Sequence, residues 1–170
     1  TGIPLAIVSL TIHVSDTYYV VGHFHYVMAV SGTFSIFAGV YYLFPKFSGK
    51  MYSEKLGKLG FWISFAGVNI IFFPMMVVGV VEGMPRRYWD YSQFPGAESY
   101  QYWMTAGAML IGVGFIVILF NWIHGLFAGK PAGNNPWGSR SLEWTTTSPP
   151  LGHGNWEKMP QLGEGWGPYE

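Results

Sequence analysis

The chain has 170 residues, half of them hydrophobic and only 11% charged, with a formal net charge of zero at pH 7. An ordinary soluble domain is about 25% charged, so this composition predicts an integral membrane protein and excludes a basic nucleic-acid surface. Cysteine is absent, which excludes a disulfide framework and any thiolate metal site within the chain.

Residues 1–16 read as a lead-in from apolar to polar sequence, the end of a preceding helix plus a connection, because Gly2 and Pro4 argue against a full span. The chain opens at Thr1 without a signal-peptide pattern, as expected of the later portion of something longer. The first complete span is predicted over 17–44, with no Asp, Glu, Lys or Arg between Thr17 and Phe44 and with Pro45 as its stop. About 20 apolar residues cross the ~30 Å hydrocarbon core. The second span is predicted over 59–81, kinked at Pro74. A polar, aromatic loop follows, and the third span is predicted over 100–127. Residues 129–170, rich in Pro, Gly, Ser, Thr and Trp, read as an irregular tail outside the membrane, ordered by packing on other protein. The predicted fold class is therefore all-α integral membrane, with three transmembrane helices of a larger helical bundle (17–128) and an irregular C-terminal tail.

Lys46, Lys50, Lys55 and Lys58 cluster after the first span and mark the inner face. The first span then runs from outside to inside and the tail lies inside, in agreement with Lys130, Arg140 and Lys158. That orientation puts Arg86 and Arg87 outside, against the usual bias, level with the outer end of the first span.

Two histidines, His23 and His25, sit inside that uncharged span. An ionisable side chain at such depth is costly and points to a site. Residues two apart on an α-helix diverge by about 200°, so the pair serves two groups on opposite flanks, with Phe24 between, and cannot chelate one metal facially. Neutral imidazole is a common axial ligand of heme iron. A hydrogen bond to a neighbouring helix is the plainer role for a single buried histidine, but two would each need a separate partner. Arg86 and Arg87 suit anionic groups such as heme propionates, which the planar guanidinium binds in bidentate fashion; lipid phosphates or Asp90 are the plainer partners.

The stretch Asp16-Thr17-Tyr18-Tyr19-Val20-Val21-Gly22-His23-Phe24-His25-Tyr26 resembles the tenth-helix motif of the heme–copper oxygen reductases, and more narrowly of subunit I of cytochrome c oxidase. Gly67-Val68-Asn69 through Phe72-Phe73-Pro74 resembles that family's eleventh helix, and Gly83-Met84-Pro85-Arg86-Arg87-Tyr88 the loop after it. Asn135-Pro136-Trp137-Gly138 and Leu142-Glu143-Trp144-Thr145-Thr146 resemble its tail. The matches run in order along nearly the whole chain, which resembles the last quarter to third of such a subunit.

The resemblance implies roles for single residues. His23 matches the axial ligand of the high-spin heme and is the implied catalytic residue. His25 matches an axial ligand of the low-spin heme, Phe24 the residue between the two hemes, and Arg86 and Arg87 the pair near the propionates. Asp16 matches a magnesium ligand, but the family's neighbouring histidine is replaced here by Ser15, which weakens that site, and Thr11 stands where an Asp is expected. His13, His124 and His153 are isolated and form no copper site.

The implied activity is that of cytochrome-c oxidase, an oxidoreductase of the respiratory chain: reduction of dioxygen to water with electrons from cytochrome c, coupled to proton pumping. The implied cofactors are two hemes of a type, copper held outside this chain, and magnesium. The implied partners are the remaining N-terminal part of subunit I, a copper-containing subunit II, subunit III and membrane lipid. The setting is a bacterial or archaeal plasma membrane or a mitochondrial inner membrane, with the C-terminus on the inner side. A quinol-oxidising relative and a non-catalytic diheme electron-transfer subunit are the alternatives.

Overall fold

The computed structural model describes residues 1–156; the expectation attached to Lys158 lies outside them. Among the described residues the regular structure is helical, with isolated bridges at Thr17–Pro85 and Lys50–Pro131. Two short helices, α1 (Gly2–Ala6) and α2 (Val8–Val14), break at the extended residue Ile7. The lead-in is thus more helical than expected; Pro4 lies in the first turn, where its missing N–H has no intrahelical partner to lose.

Helix α3 (Tyr18–Phe24) starts at Thr17, whose Oγ1 accepts from the Tyr19 amide at 3.2 Å and donates to the Val14 carbonyl at 2.9 Å. A π-helical turn, His25–Val30, follows, and then α4, Ser31–Ser48. Together they make an apolar segment long enough to cross a membrane, Tyr18–Ser48, as do α5 (Glu54–Val81) and the segment Pro95–Ala128, whose main body is α6 (Glu98–Ala128).

The first span does not stop at Pro45 but runs to Ser48. Its last turn is held from outside the ladder: the Ser48 hydroxyl donates to the Phe44 carbonyl at 2.6 Å and the Lys46 ammonium to the Thr146 and Thr147 carbonyls. Gly49, at φ +69°, then reverses the chain in a conformation that favours glycine. Pro74 lies inside α5.

The described residues form two compact units. In the unit of Thr1–Ile36 and Lys58–Ile118, α5 and α6 meet along small residues. A Cβ at Gly67 would lie 2.8 Å from the Ile111 nitrogen, and one at Gly107 would lie 2.6 Å from the Ile71 nitrogen. Ser64 is fully buried on the same stripe and donates to the Gly60 carbonyl at 2.8 Å. Without a hydrophobic force between helices in lipid, such close backbone approach is what lets dispersion hold them. Val78, Met84 and Ala97 form a buried cluster in this unit, packed by Tyr18, Tyr91, Phe94 and Tyr100.

The other unit comprises Phe37–Gly57 and the described residues from Leu119 onward. Here the described part of the tail, 129–156, packs onto its own chain rather than awaiting other protein. Trp144, 2% exposed, donates from Nε1 to the Tyr42 hydroxyl at 2.6 Å, and Trp137 donates to the Tyr42 carbonyl at 3.0 Å. Lys46 lies 5.0 Å from the Trp144 ring centroid. Asn121, fully buried, accepts from the Ser53 amide and donates to the Ser53 carbonyl and the Tyr41 hydroxyl. The lysines read as loop charges are partly structural: Lys50 donates to the Leu126 and Phe127 carbonyls, placing a cation at the negative end of α6.

Candidate functional site

The site is built on α3 and the π turn. Gly22 lets this segment approach α5: a Cβ there would lie 2.9 Å from the Phe72 carbonyl and 2.7 Å from the Met76 Cγ. One turn on, the His25 backbone N–H is directed at the Gly22 and Val21 carbonyls, and its ring Nδ1 lies 2.8 Å from the Val21 carbonyl. A carbonyl only accepts, so Nδ1 carries the hydrogen and Nε2 keeps its lone pair. The same contact puts a side chain into the helical ladder where it widens into the π turn, a recognised cause of local irregularity.

The His25 ring lies between two phenylalanines. Its centroid is 4.7 Å from Phe24 at 26° and 4.8 Å from Phe72 at 21°, both stacked. Tyr26 donates to Asn69 Oδ1 at 3.0 Å and meets Phe72 edge-on. Asn69, Phe72 and Met76 are spaced i, i+3, i+7 and form one stripe of α5 facing Gly22, His25 and Tyr26.

His23 is half-buried, and its Nδ1 lies 2.7 Å from the Thr1 hydroxyl. The backbone of Gly2 passes close by, so that a Cβ there would lie 3.4 Å from the His23 ring. Each imidazole therefore engages this chain through Nδ1, the arrangement expected of a ligand whose other nitrogen is oriented by a neighbour.

The loop after α5 docks on the start of α3. Tyr18 N–H donates to the Met84 carbonyl at 2.9 Å and Arg86 N–H to the Asp16 carbonyl at 3.0 Å. Gly83, at φ +59°, makes the turn into this loop. Arg86 thus lies at the N-terminal end of α3, whose first residue, Tyr18, precedes His23 by about 8 Å along the helix axis. Its guanidinium pairs with Asp16 at 3.2 Å, whereas Asp90 accepts from the Ser92 amide and hydroxyl. Those two hydrogen bonds hold the Asp90 carboxyl below its usual range. Arg86 Nε is buried and lacks a hydrogen-bond partner, one of three such atoms among the described residues. Arg87 beside it is exposed.

These residues fit a heme: two imidazoles with Nδ1 engaged, and a buried guanidinium nitrogen left for an anion. They fit magnesium poorly. Asp16 is 86% exposed and already paired, Ser15 donates to the Thr11 carbonyl, and the described residues contain no cluster of three or more His, Asp or Glu.

Beyond their place in a motif, neither Phe72 nor Asn69 stands out in the sequence, and nor does the Val21 carbonyl. The i, i+3 spacing of Asn69 and Phe72 was visible, but which face of α5 meets His25 depends on how the helices pack.

The family pattern "Cytochrome C and Quinol oxidase polypeptide I" matches residues 1–110. The chain is 44% identical to the cytochrome c oxidase subunit 1 of Thermostichus vulcanus over 100% of this chain and 30% of that protein. It is 41% identical to the alternative cytochrome c oxidase subunit 1 of Bradyrhizobium diazoefficiens over 94% of this chain and 27% of that protein. The chain thus spans less than a third of the length of these relatives. A chain from a cryo-EM structure of a heme-copper terminal oxidase dimer superposes with a TM-score of 0.65 at 29% identity, covering 76% of this chain and 24% of that one. The ordered motifs, the three apolar helices and the match over residues 1–110 place this chain in the cytochrome c and quinol oxidase polypeptide I family.

Proposed function

We propose that this chain is the C-terminal portion of the catalytic subunit of a respiratory terminal oxidase and supplies axial imidazoles to both of its hemes. The supporting observation is that His25 donates through Nδ1 to the Val21 carbonyl, leaving Nε2 for a metal, and that His23 meets the Thr1 hydroxyl through Nδ1, so that its Nε2 lies on the far side of the ring. His23 would hold the high-spin iron and His25 the low-spin iron, with Phe24 between them. Heme, expected to be of type a, would supply redox-active iron able to take dioxygen.

The chain's own contribution is positional. One short segment carries both imidazoles, so its backbone sets their separation. The carbonyl of Val21 fixes the His25 tautomer. Arg86, with its unpartnered buried Nε, and Arg87 would receive carboxylates of the hemes and bias their protonation. Copper ligands, the second low-spin ligand and proton paths belong to the rest of subunit I, and electrons would arrive through a copper-containing subunit II, with subunit III alongside. The reaction is dioxygen reduction to water by cytochrome c with proton pumping, in a bacterial, archaeal or mitochondrial inner membrane, the C-terminus inside.

The family's description covers quinol oxidases as well. Quinol as donor is therefore the second reading, and copper in the partner subunit separates the two.

The test is replacement of His23 and His25 by Leu, one at a time, in the full complex. Reduced-minus-oxidised spectra with and without carbon monoxide should lose the carbon monoxide-binding heme in His23→Leu and the other heme in His25→Leu. Two unchanged heme signals would overturn the reading.

A further inference from the structure

His25 is constrained on three sides, and the three constraints differ in origin. The Val21 carbonyl and the Phe24 ring belong to the same helical segment and move with it. Phe72 belongs to α5 and is the reference from outside: it is 8% exposed and stacks on His25 within 21° of parallel. A hydrogen bond through Nδ1 aims an imidazole but leaves rotation about the line of that bond; a flat ring packed on its face removes that rotation.

The register that brings Phe72 to this place is itself held. Tyr26, next to His25, donates to Asn69 on the neighbouring turn of α5, and Asn69 Nδ2 donates back to the Phe65 carbonyl at 2.8 Å, which fixes its amide. Gly22 admits the Phe72 backbone to within contact of α3. A side chain at position 22, or loss of the Tyr26–Asn69 bond, would slide the ring of Phe72 off that of His25.

We propose that Phe72 is a positioning residue that sets the plane of the His25 imidazole, with Tyr26 and Asn69 holding the register between the two helices. The proposal rests on the reading that His25 ligates the low-spin heme. The plane of an axial imidazole governs how the iron d orbitals split, so the effect reaches the electronic signature of the iron as well as the rate. Phe72 does not touch the reacting atoms; it acts through His25.

The experiment uses the full oxidase complex carrying Phe72→Leu, Phe72→Tyr, Tyr26→Phe or His25→Leu. Electron paramagnetic resonance of the low-spin heme and total heme content are measured on each. Phe72→Leu should keep both hemes but shift and broaden the low-field signal; Phe72→Tyr, which keeps the ring, should restore the parental signal. Tyr26→Phe should broaden the signal in the same direction. Should Phe72→Leu fail to assemble, Phe72→Met, similar in size but without a ring plane, carries the same expectation. A parental signal in Phe72→Leu or Phe72→Met, while His25→Leu abolishes it, would overturn this proposal and leave the ligand reading standing. A low-spin signal that survives in His25→Leu would overturn both.

Discussion

The Arg86 guanidinium lies 3.2 Å from the Asp16 carboxylate, and the Arg86 amide donates to the Asp16 carbonyl at 3.0 Å. The loop after α5 is thus joined to the entry of α3 by both backbone and side chain. The two contacts differ in worth. Asp16 is largely in solvent, and exposed pairs contribute about 0–1 kcal/mol. Asp16→Asn should therefore leave thermal stability within ~1 kcal/mol of the parent and heme content unchanged. Arg86→Gln should alter the heme redox titration, because it removes the buried Nε that Asp16 does not use. A redox titration of both variants distinguishes the roles; equal effects from the two would show that the ion pair is all that matters.

The glycine contact between α5 and α6 makes a steric prediction. A Cβ at Gly107 would meet the Ile71 nitrogen at 2.6 Å and the Gly67 carbonyl at 2.9 Å, both backbone atoms that cannot rotate away. Gly107→Val should force the helices apart, at a cost of about 1–3 kcal/mol or more, and lower the yield of assembled, heme-containing complex. Gly112, which has open space around its Cβ position, is the control, and Gly112→Ala should assemble normally. Native gel electrophoresis of membranes from both strains measures this.

Lys46 is 8% exposed and donates to two tail carbonyls, those of Thr146 and Thr147. A hydrogen bond that involves a charged group contributes about 1.5–3 kcal/mol. Lys46→Met keeps most of the apolar stem but leaves the Thr146 carbonyl without its donor. The expected result is faster limited proteolysis between 140 and 150, with the heme spectra unchanged.

The tail should also respond to acid. The Glu143 carboxyl is held below its ordinary value of 4.5, first by the Ser141 hydroxyl, with Tyr42 and Lys46 adding to the effect. A carboxyl with a lowered folded value stabilises the fold above its unfolded value and loses that contribution as pH falls through the folded one. Protection of the 142–147 amides against hydrogen exchange, taken relative to the intrinsic rate at each pH, should thus be unchanged from neutral pH down to about 5 and fall below 4.5. Glu143→Gln should abolish that pH dependence of the protection.

The apolar spans were legible in the sequence, because their length and composition are those of helices that cross a bilayer. The pair His23 and His25, two positions apart on one helical segment, was also legible there, with the divergence that α-helical spacing implies. The extension of the first span past Pro45 was not legible, because Lys46 in that last turn donates to the carbonyls of Thr146 and Thr147, far along the chain. The partner of Arg86 was not legible for the same reason: Asp90 is near in sequence, but Asp16 is near in space. The stacking of Phe72 on His25 was likewise undecided, because either face of an almost uniformly apolar α5 could meet α3. Only tertiary packing chose the face, where Gly22 admits the backbone and Asn69 offers Tyr26 its acceptor.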